Sequence, residues 1–306
     1  MQRRFLDYLI ISFKGIAMGA ADAVPGVSGG TIAFISGIYE ELINTISNVN
    51  KSLFKTLLNK GFKVFWKQLN GHFLVALLLG IVLSFVSFMK LAKYLLEHHP
   101  ILIWSFFFGL ILASIFFVGK QITKWNLATL LALLIGTALA FYISKLPSMA
   151  TNGSSWFLFL AGAIAICAMI LPGISGAFIL VVLGAYKSLS DAIDQWDFKK
   201  LMVFICGAIV GLLSFSHILK WLFKHYHNIT LALLTGFIIG SLNTVWPWKN
   251  TVSWHTNSKG KIVPFLQESI SPFNFEGNNQ LLFAIILLIL GFLTIFILEK
   301  IGSKKN

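Results

Sequence analysis

Pro25-Gly26-Val27-Ser28-Gly29 returns later in the chain as Pro172-Gly173-Ile174-Ser175-Gly176, and a Gly-x-Tyr follows each copy, as Gly37-Ile38-Tyr39 and Gly184-Ala185-Tyr186. Proline removes a backbone donor and glycine opens dihedrals closed to other residues, so both segments must break a helix. The helix that resumes after each break, near Gly30-Thr31 or Ala177-Phe178, presents unsatisfied N–H groups and the positive end of its dipole. That is chemistry for holding an anion, above all a phosphate, with Ser28, Thr31 and Ser175 adding hydroxyl donors. A single Pro-Gly kink in apolar sequence is ordinary. Two in register point to one shared substrate site built from Pro25, Gly26, Ser28, Gly29, Gly30, Thr31, Pro172, Gly173, Ser175 and Gly176.

Four charged residues accompany the first break. Asp22 precedes Pro25 with no obvious cation beside it, and a carboxylate at membrane depth is costly unless paired, hydrated or protonated. Two roles fit it: coupling transport to a proton or another cation such as sodium, or capping the broken helix by accepting backbone N–H bonds. Of Glu40 and Glu41, Glu40 is the candidate for gating or proton binding and its neighbour belongs on a solvated face. Lys14 could neutralise a phosphate at the mouth of the site or simply snorkel to the interface. His98, His99, His217, His225 and His227 form no metal pattern within one element, and Cys167 and Cys206 sit in apolar sequence, so no metal or cofactor is expected.

The elements that must position these groups belong to a membrane. Of the 306 residues, 57% are hydrophobic and only 11% charged, which excludes an ordinary soluble domain. Apolar segments able to cross about 30 Å of hydrocarbon lie near 72-95, 101-118, 125-144, 201-223, 229-246 and 280-298. The first apolar run lacks the pattern of a removable signal peptide. The net charge of +13 is read from its distribution: Lys51, Lys55, Lys60, Lys63 and Lys67, with no acid among them, share an apolar-periodic stretch at 48-70. Such a segment lies on the cytoplasmic membrane surface against anionic lipid, not on nucleic acid.

The repeat extends past the motifs. Gly80, Ser87, Phe88, Lys93 and Gly109 match Gly207, Ser214, Phe215, Lys220 and Gly236, and Gly136 and Lys145 match Gly291 and Lys300. The chain therefore reads as two units, 1-146 and 155-300, with hairpins at about 10-45 and 156-190. If each Pro-Gly segment is re-entrant, each unit has three true crossings and the second must be upside down. Placing both termini in the cytoplasm satisfies the positive-inside bias. The expected fold is an all-α integral membrane protein of inverted-topology repeats, each a re-entrant helical hairpin plus three transmembrane helices. The tryptophans of 246-254 read as an interfacial belt.

Ala21-Asp22-Ala23-Val24-Pro25-Gly26-Val27-Ser28-Gly29-Gly30-Thr31, with Phe34 and Gly37-Ile38-Tyr39-Glu40, strongly resembles the signature of the bacterial PopT-type polyprenyl-phosphate transporters, and Cys167 to Gly176 resembles the second signature. The resemblance spans nearly the whole chain. It implies a flippase of the bacterial inner membrane that returns undecaprenyl phosphate, the lipid carrier of cell-wall and surface-glycan units, from the outer to the cytoplasmic leaflet. Members often carry a hydroxyl and an acidic residue where this chain has Ala177 and Lys187, so the second hairpin is not expected to bind protons. The headgroup would sit between the two Pro-Gly turns with the prenyl tail in lipid, and rocking of one repeat against the other would expose it alternately. Two rivals remain at this stage: a transporter of a small soluble anion, and an intramembrane lipid phosphatase, for which Ser28 with Asp22 is the one available pairing.

Overall fold

The computed structural model describes residues 3–22, 28–146, 154–256 and 262–303, so Pro25 and Gly26 lie outside the described residues. The first hairpin consists of α1 (Phe5–Asp22), α2 (Gly29–Ile35) and α3 (Tyr39–Ser47). The basic helix α4 (Lys51–Gln68) follows, then α5 (Gly71–His98), α6 (Pro100–Gly119) and α7 (Leu127–Ser144). The second hairpin is α8 (Ser155–Ile170), α9 (Gly176–Val182) and α10 (Tyr186–Asp194), followed by α11 (Phe198–His225), α12 (His227–Ser241) and α13 (Leu281–Ser303). The α6, α7 and α11 helices are each long and apolar enough to cross a membrane, and α9 and α10 form an apolar pair bent by 106°. Leu130, Leu134, Ile205, Ile209, Ile286 and Leu290 are large apolar side chains left exposed, as a membrane-facing surface requires.

Gly-x-Tyr is the corner of each hairpin. Gly37 and Gly184 take φ of +73° and +71°, which glycine alone reaches without strain. In the first corner the Ile38 N–H donates to Ala33 O at 3.0 Å, and in the second the Ala185 N–H donates to Leu180 O at 2.9 Å. Each tyrosine then opens the next helix. The same C-terminal cap is thus written twice in sequence and formed twice in space.

Glycines also set the helix crossings, and they do so reciprocally. A Cβ on Gly15 would meet Leu77 O and one on Gly80 would meet Ser12 O, so α1 and α5 touch backbone to backbone. In the second half Gly162 meets Phe204 O and Gly207 meets Phe159 O in the same way, joining α8 to α11. A second pair of crossings connects the halves: Gly109 with Leu288 O and Gly291 with Phe106 O between α6 and α13, and Gly136 with Leu233 O and Gly236 with Leu133 O between α7 and α12. Small residues at such contacts let membrane helices approach closely.

Directions follow from these contacts. Gly236 lies over Leu133 and Gly240 over Thr137, so α7 and α12 run the same way. A connection of a few residues sets α7 antiparallel to α6. The α12 helix, the counterpart of α6, therefore runs against it, and the repeat is inverted.

Between α12 and α13 the chain departs from all-helical structure. Strands β1 (Lys249–Thr256) and β2 (Ile262–Ser269) pair antiparallel, from Lys249 opposite Ser269 to Thr256 opposite Ile262. Trp246 and Trp248 are held by the protein itself. Trp246 Nε1 donates to Ile270 O at 2.8 Å and Trp248 Nε1 to Asn279 O at 2.9 Å, with Trp248 buried against Ile101 and Ala284. Their indole donors anchor the loop over α6 and α13, because a buried indole N–H needs an acceptor.

Candidate functional site

The two broken helices meet. Ser28 caps α2 with extended backbone, its Oγ accepting the Gly30 N–H at 3.2 Å. The same hydroxyl lies within reach of two carbonyls of the second hairpin, Met169 O at 3.3 Å and Leu171 O at 3.4 Å. In the opposite sense the Gly173 N–H donates to Thr31 Oγ1 at 2.9 Å. Ser28 and Thr31 are 3% and 1% exposed, so these bonds are made out of water. Gly30 permits the approach, since a Cβ there would stand 2.6 Å from Ile170 O. Gly173 has φ of +84°, and a Cβ on it would stand 2.6 Å from Phe237 O of α12.

Asp22 closes the first turn on itself: its Oδ1 accepts the Gly29 N–H at 2.7 Å. Gly29 has no room for a side chain because the Asp22 carboxylate fills that space. With the Thr31 N–H on Ser28 O at 3.0 Å, the first three amides of α2 are all occupied by the chain's own oxygens. The second turn is built more simply. Ser175 Oγ accepts the Phe178 N–H at 3.4 Å as the cap of α9, Gly176 lies against Ala165 O, and Pro172 is buried.

Beside the second turn is a crevice of about 10 Å³, room for roughly one water molecule. Gly173, Ile174, Ser175 and Phe178 border it, with Ala140, Ile143 and Ser144 at the end of α7 and Thr244 after α12.

Lys14 and Glu40 lie apart from the turns. Lys14 Nζ donates to Ser36 O at 2.6 Å, tying α1 to the far end of α2. Glu40 is half-exposed at the start of α3, 3.8 Å from His227 Nδ1. Its neighbour Glu41 is partly exposed and paired. The Arg3 guanidinium grips it bidentately at 2.5 and 2.6 Å and Asn70 Nδ2 adds a bond of 2.8 Å. Sequence reasoning missed the carbonyls of Met169, Ile170 and Leu171 as the surface facing Ser28 and Gly30, because carbonyls carry no residue signature. It also missed the seating of α3 on α11, where Lys220 Nζ donates to Asn48 Oδ1 at 3.2 Å.

Known proteins bear on this architecture directly. The undecaprenyl phosphate translocase-like family matches residues 18–263. A polyprenyl-phosphate transporter of Vibrio cholerae serotype O1 is 45% identical over 308 residues, covering 99% of this chain and 100% of that protein. A polyprenyl-phosphate transporter of Staphylococcus aureus is 32% identical over 273 residues, covering 83% of this chain and 92% of that one. No solved structure matches the chain. These relatives carry the names of transporters, not of enzymes. The chain is a multi-pass membrane protein and belongs to the undecaprenyl phosphate translocase-like family, the family of the polyprenyl-phosphate transporters.

Proposed function

We propose that this chain carries undecaprenyl phosphate from the outer to the cytoplasmic leaflet of the bacterial inner membrane, with both termini cytoplasmic and the headgroup held between the two Pro-Gly turns. One observation carries the reading: serine, threonine and glycine groups of two hairpins, which enter from opposite ends of an inverted repeat, bond to one another at a buried meeting point. Moving a charged phosphate through hydrocarbon unaided is prohibitive. Amides and hydroxyls that replace its water lower that barrier, while the prenyl tail stays in lipid.

In this conformation the turns bond to each other, so the headgroup enters as they part. Thr31 Oγ1 is then a stand-in acceptor for the Gly173 N–H, and the Asp22 carboxylate a stand-in anion on the Gly29 N–H. A phosphate that takes the Gly29 amide either displaces Asp22 or meets it protonated, since two anions do not share one donor. Coupling to a proton follows from that competition. Pro25, Gly26, Gly176 and Ser175 shape the turns, and Lys14 and Glu40 act at the N-terminal mouth.

The test is a leaflet-resolved measurement of undecaprenyl phosphate in cells lacking the protein, complemented with wild type, Asp22→Asn or Ser28→Ala. Wild type restores the cytoplasmic pool and both variants fall short. Full restoration by both variants removes the site from the turns. Competition by inorganic phosphate but not by the lipid in proteoliposomes favours a soluble-anion transporter instead.

A further inference from the structure

The two halves share their corners and crossings but part company at the arm that follows each corner. The α3 helix crosses to the other half and packs along α11, whereas its counterpart α10 packs on α9 and on α11 of its own half. Tyr39 shows the contrast in one residue: it is 2% exposed, and Tyr186, at the matching position, is 52% exposed. Tyr39 sits edge-on to Phe34 and Phe223, with ring centroids 4.8 and 6.0 Å away. The Asn48–Lys220 bond and the Glu40–His227 contact flank it. Its hydroxyl has no hydrogen-bond partner, the one such buried side-chain atom among the described residues.

We infer that Tyr39 is the latch of a gate at the N-terminal mouth of the turn–turn site, and that Tyr186 is the matching latch of the opposite mouth, released in this conformation. The inference rests on the proposed transport function. Inverted repeats have two equivalent ways to break their symmetry, with one arm docked across and the other kept to its own half. The ring holds the gate shut by packing between two aromatic neighbours. The orphan hydroxyl raises the energy of the shut state, because it has given up water for nothing, and so keeps the gate from closing permanently. The Gly-x-Tyr signature thus has two parts: glycine turns the corner, and tyrosine closes or frees the arm beyond it.

The experiment reads solvent access to α3 and α10 in the full chain, with Cys167→Ala and Cys206→Ala as background. Single reporters Ile43→Cys, one turn beyond Tyr39, and Ser190→Cys, its repeat counterpart, are placed in lipid nanodiscs and reacted with a water-soluble maleimide from both faces. Ser190→Cys reacts about tenfold faster than Ile43→Cys or more, as expected for an open arm against a docked one. Tyr39→Phe keeps the ring and deletes the orphan hydroxyl, so it slows the Ile43→Cys reaction by about fivefold or more. Tyr39→Ala removes the packing and speeds it. Equal reactivity of the two reporters, or no slowing by Tyr39→Phe, overturns the latch. Tyr39→Phe carries the decision even if the alanine variant does not fold. Labelling needs no substrate: failure to move undecaprenyl phosphate sinks the proposed function and leaves the gate standing, and equal labelling with intact transport sinks the gate alone.

Discussion

Thr31→Val is the sharpest single test of the turn–turn contact. Valine keeps the branched shape but removes the oxygen that accepts the Gly173 N–H at 2.9 Å. The site is 1% exposed, so water does not replace the lost partner. A buried donor left unpaired costs about 1–3 kcal/mol, or a factor of roughly 5–150 in the population of the closed contact. Thr31→Ser retains the oxygen and recovers most of that loss. The assay is the apparent unfolding midpoint in detergent, followed by size-exclusion chromatography after heating, with and without undecaprenyl phosphate. Without lipid, Val falls below Thr and Ser by a few degrees, on the scale of about 2–4 °C per kcal/mol for chains of roughly 150–250 residues. With lipid the order of gains reverses. A phosphate oxygen now satisfies the Gly173 amide without first displacing a hydroxyl, so bound lipid stabilises the Val variant more than wild type. Equal midpoints for Val and Ser would show that the Gly173–Thr31 bond carries no weight, and equal gains with lipid would show that the headgroup does not use this amide.

Asp22→Asn still offers an oxygen to the Gly29 N–H and keeps the fold, but it carries no charge to exchange. Undecaprenyl phosphate binding to wild type strengthens more steeply as pH falls than binding to the Asn variant, which keeps only the pH dependence of the lipid's own phosphate; the same pH dependence in both, measured by titration in nanodiscs, removes Asp22 from coupling. Gly80→Ala and Gly207→Ala place a Cβ about 2.1 and 2.0 Å from Ser12 O and Phe159 O, so they destabilise by similar amounts, about 1–3 kcal/mol each. Gly119→Ala, with nothing within 4 Å of its Cβ, is neutral in the same thermal assay. Lys249 lies over the Trp104 ring with its Nζ on Thr244 O, and burial lowers its pKa to about 8. Between that value and the ordinary lysine range the unfolded chain holds the proton and the folded one does not, so stability rises with pH there, by up to about 1.4 kcal/mol per pH unit. Lys249→Met flattens denaturation midpoints between mildly and strongly alkaline buffer; a profile unchanged by the substitution refutes the assignment.

Features recorded in the sequence as residue types were legible; those made by backbone atoms were not. Pro172 and Gly173 announced a helix break, because proline and glycine change the backbone itself, and Gly37 and Gly184 announced a repeat without announcing the corner they form. The matched Gly80–Gly207 and Gly136–Gly291 pairs announced a repeat before any contact was known. Which helix each glycine faced stayed hidden, since the partner at every crossing is a carbonyl that any residue could supply. The same holds at the site, where Ser28 meets the carbonyls of Met169 and Leu171. Asp22 was readable as a buried carboxylate, and both of its roles fitted the sequence. Only the 2.7 Å bond to Gly29 showed where its oxygen goes. The partner of Glu41 was not legible, because Arg3 lies at the far end of the hairpin, beyond any local pattern.

The crossings also constrain how the site can open. Rocking one whole repeat against the other would require α6 to leave α13 and α7 to leave α12, yet each of those pairs joins the two halves through reciprocal glycine–carbonyl approaches. Contacts that close are lost steeply with separation, so these four helices act as one scaffold. The α1–α5 and α8–α11 pairs are joined as tightly within their own halves, which makes each a rigid arm carrying one hairpin. What remains separable is the turn–turn meeting, held by a few hydrogen bonds and the one Gly30–Ile170 approach without a reciprocal glycine, and the seating of α3 on α11, where Lys220 bonds Asn48 and Phe223 packs on Tyr39. Motion is therefore expected between arms and scaffold. A disulfide joining α7 to α12 within the scaffold leaves transport intact, whereas one joining α3 to α11 stops it; the reverse pattern would restore the rocking of whole repeats.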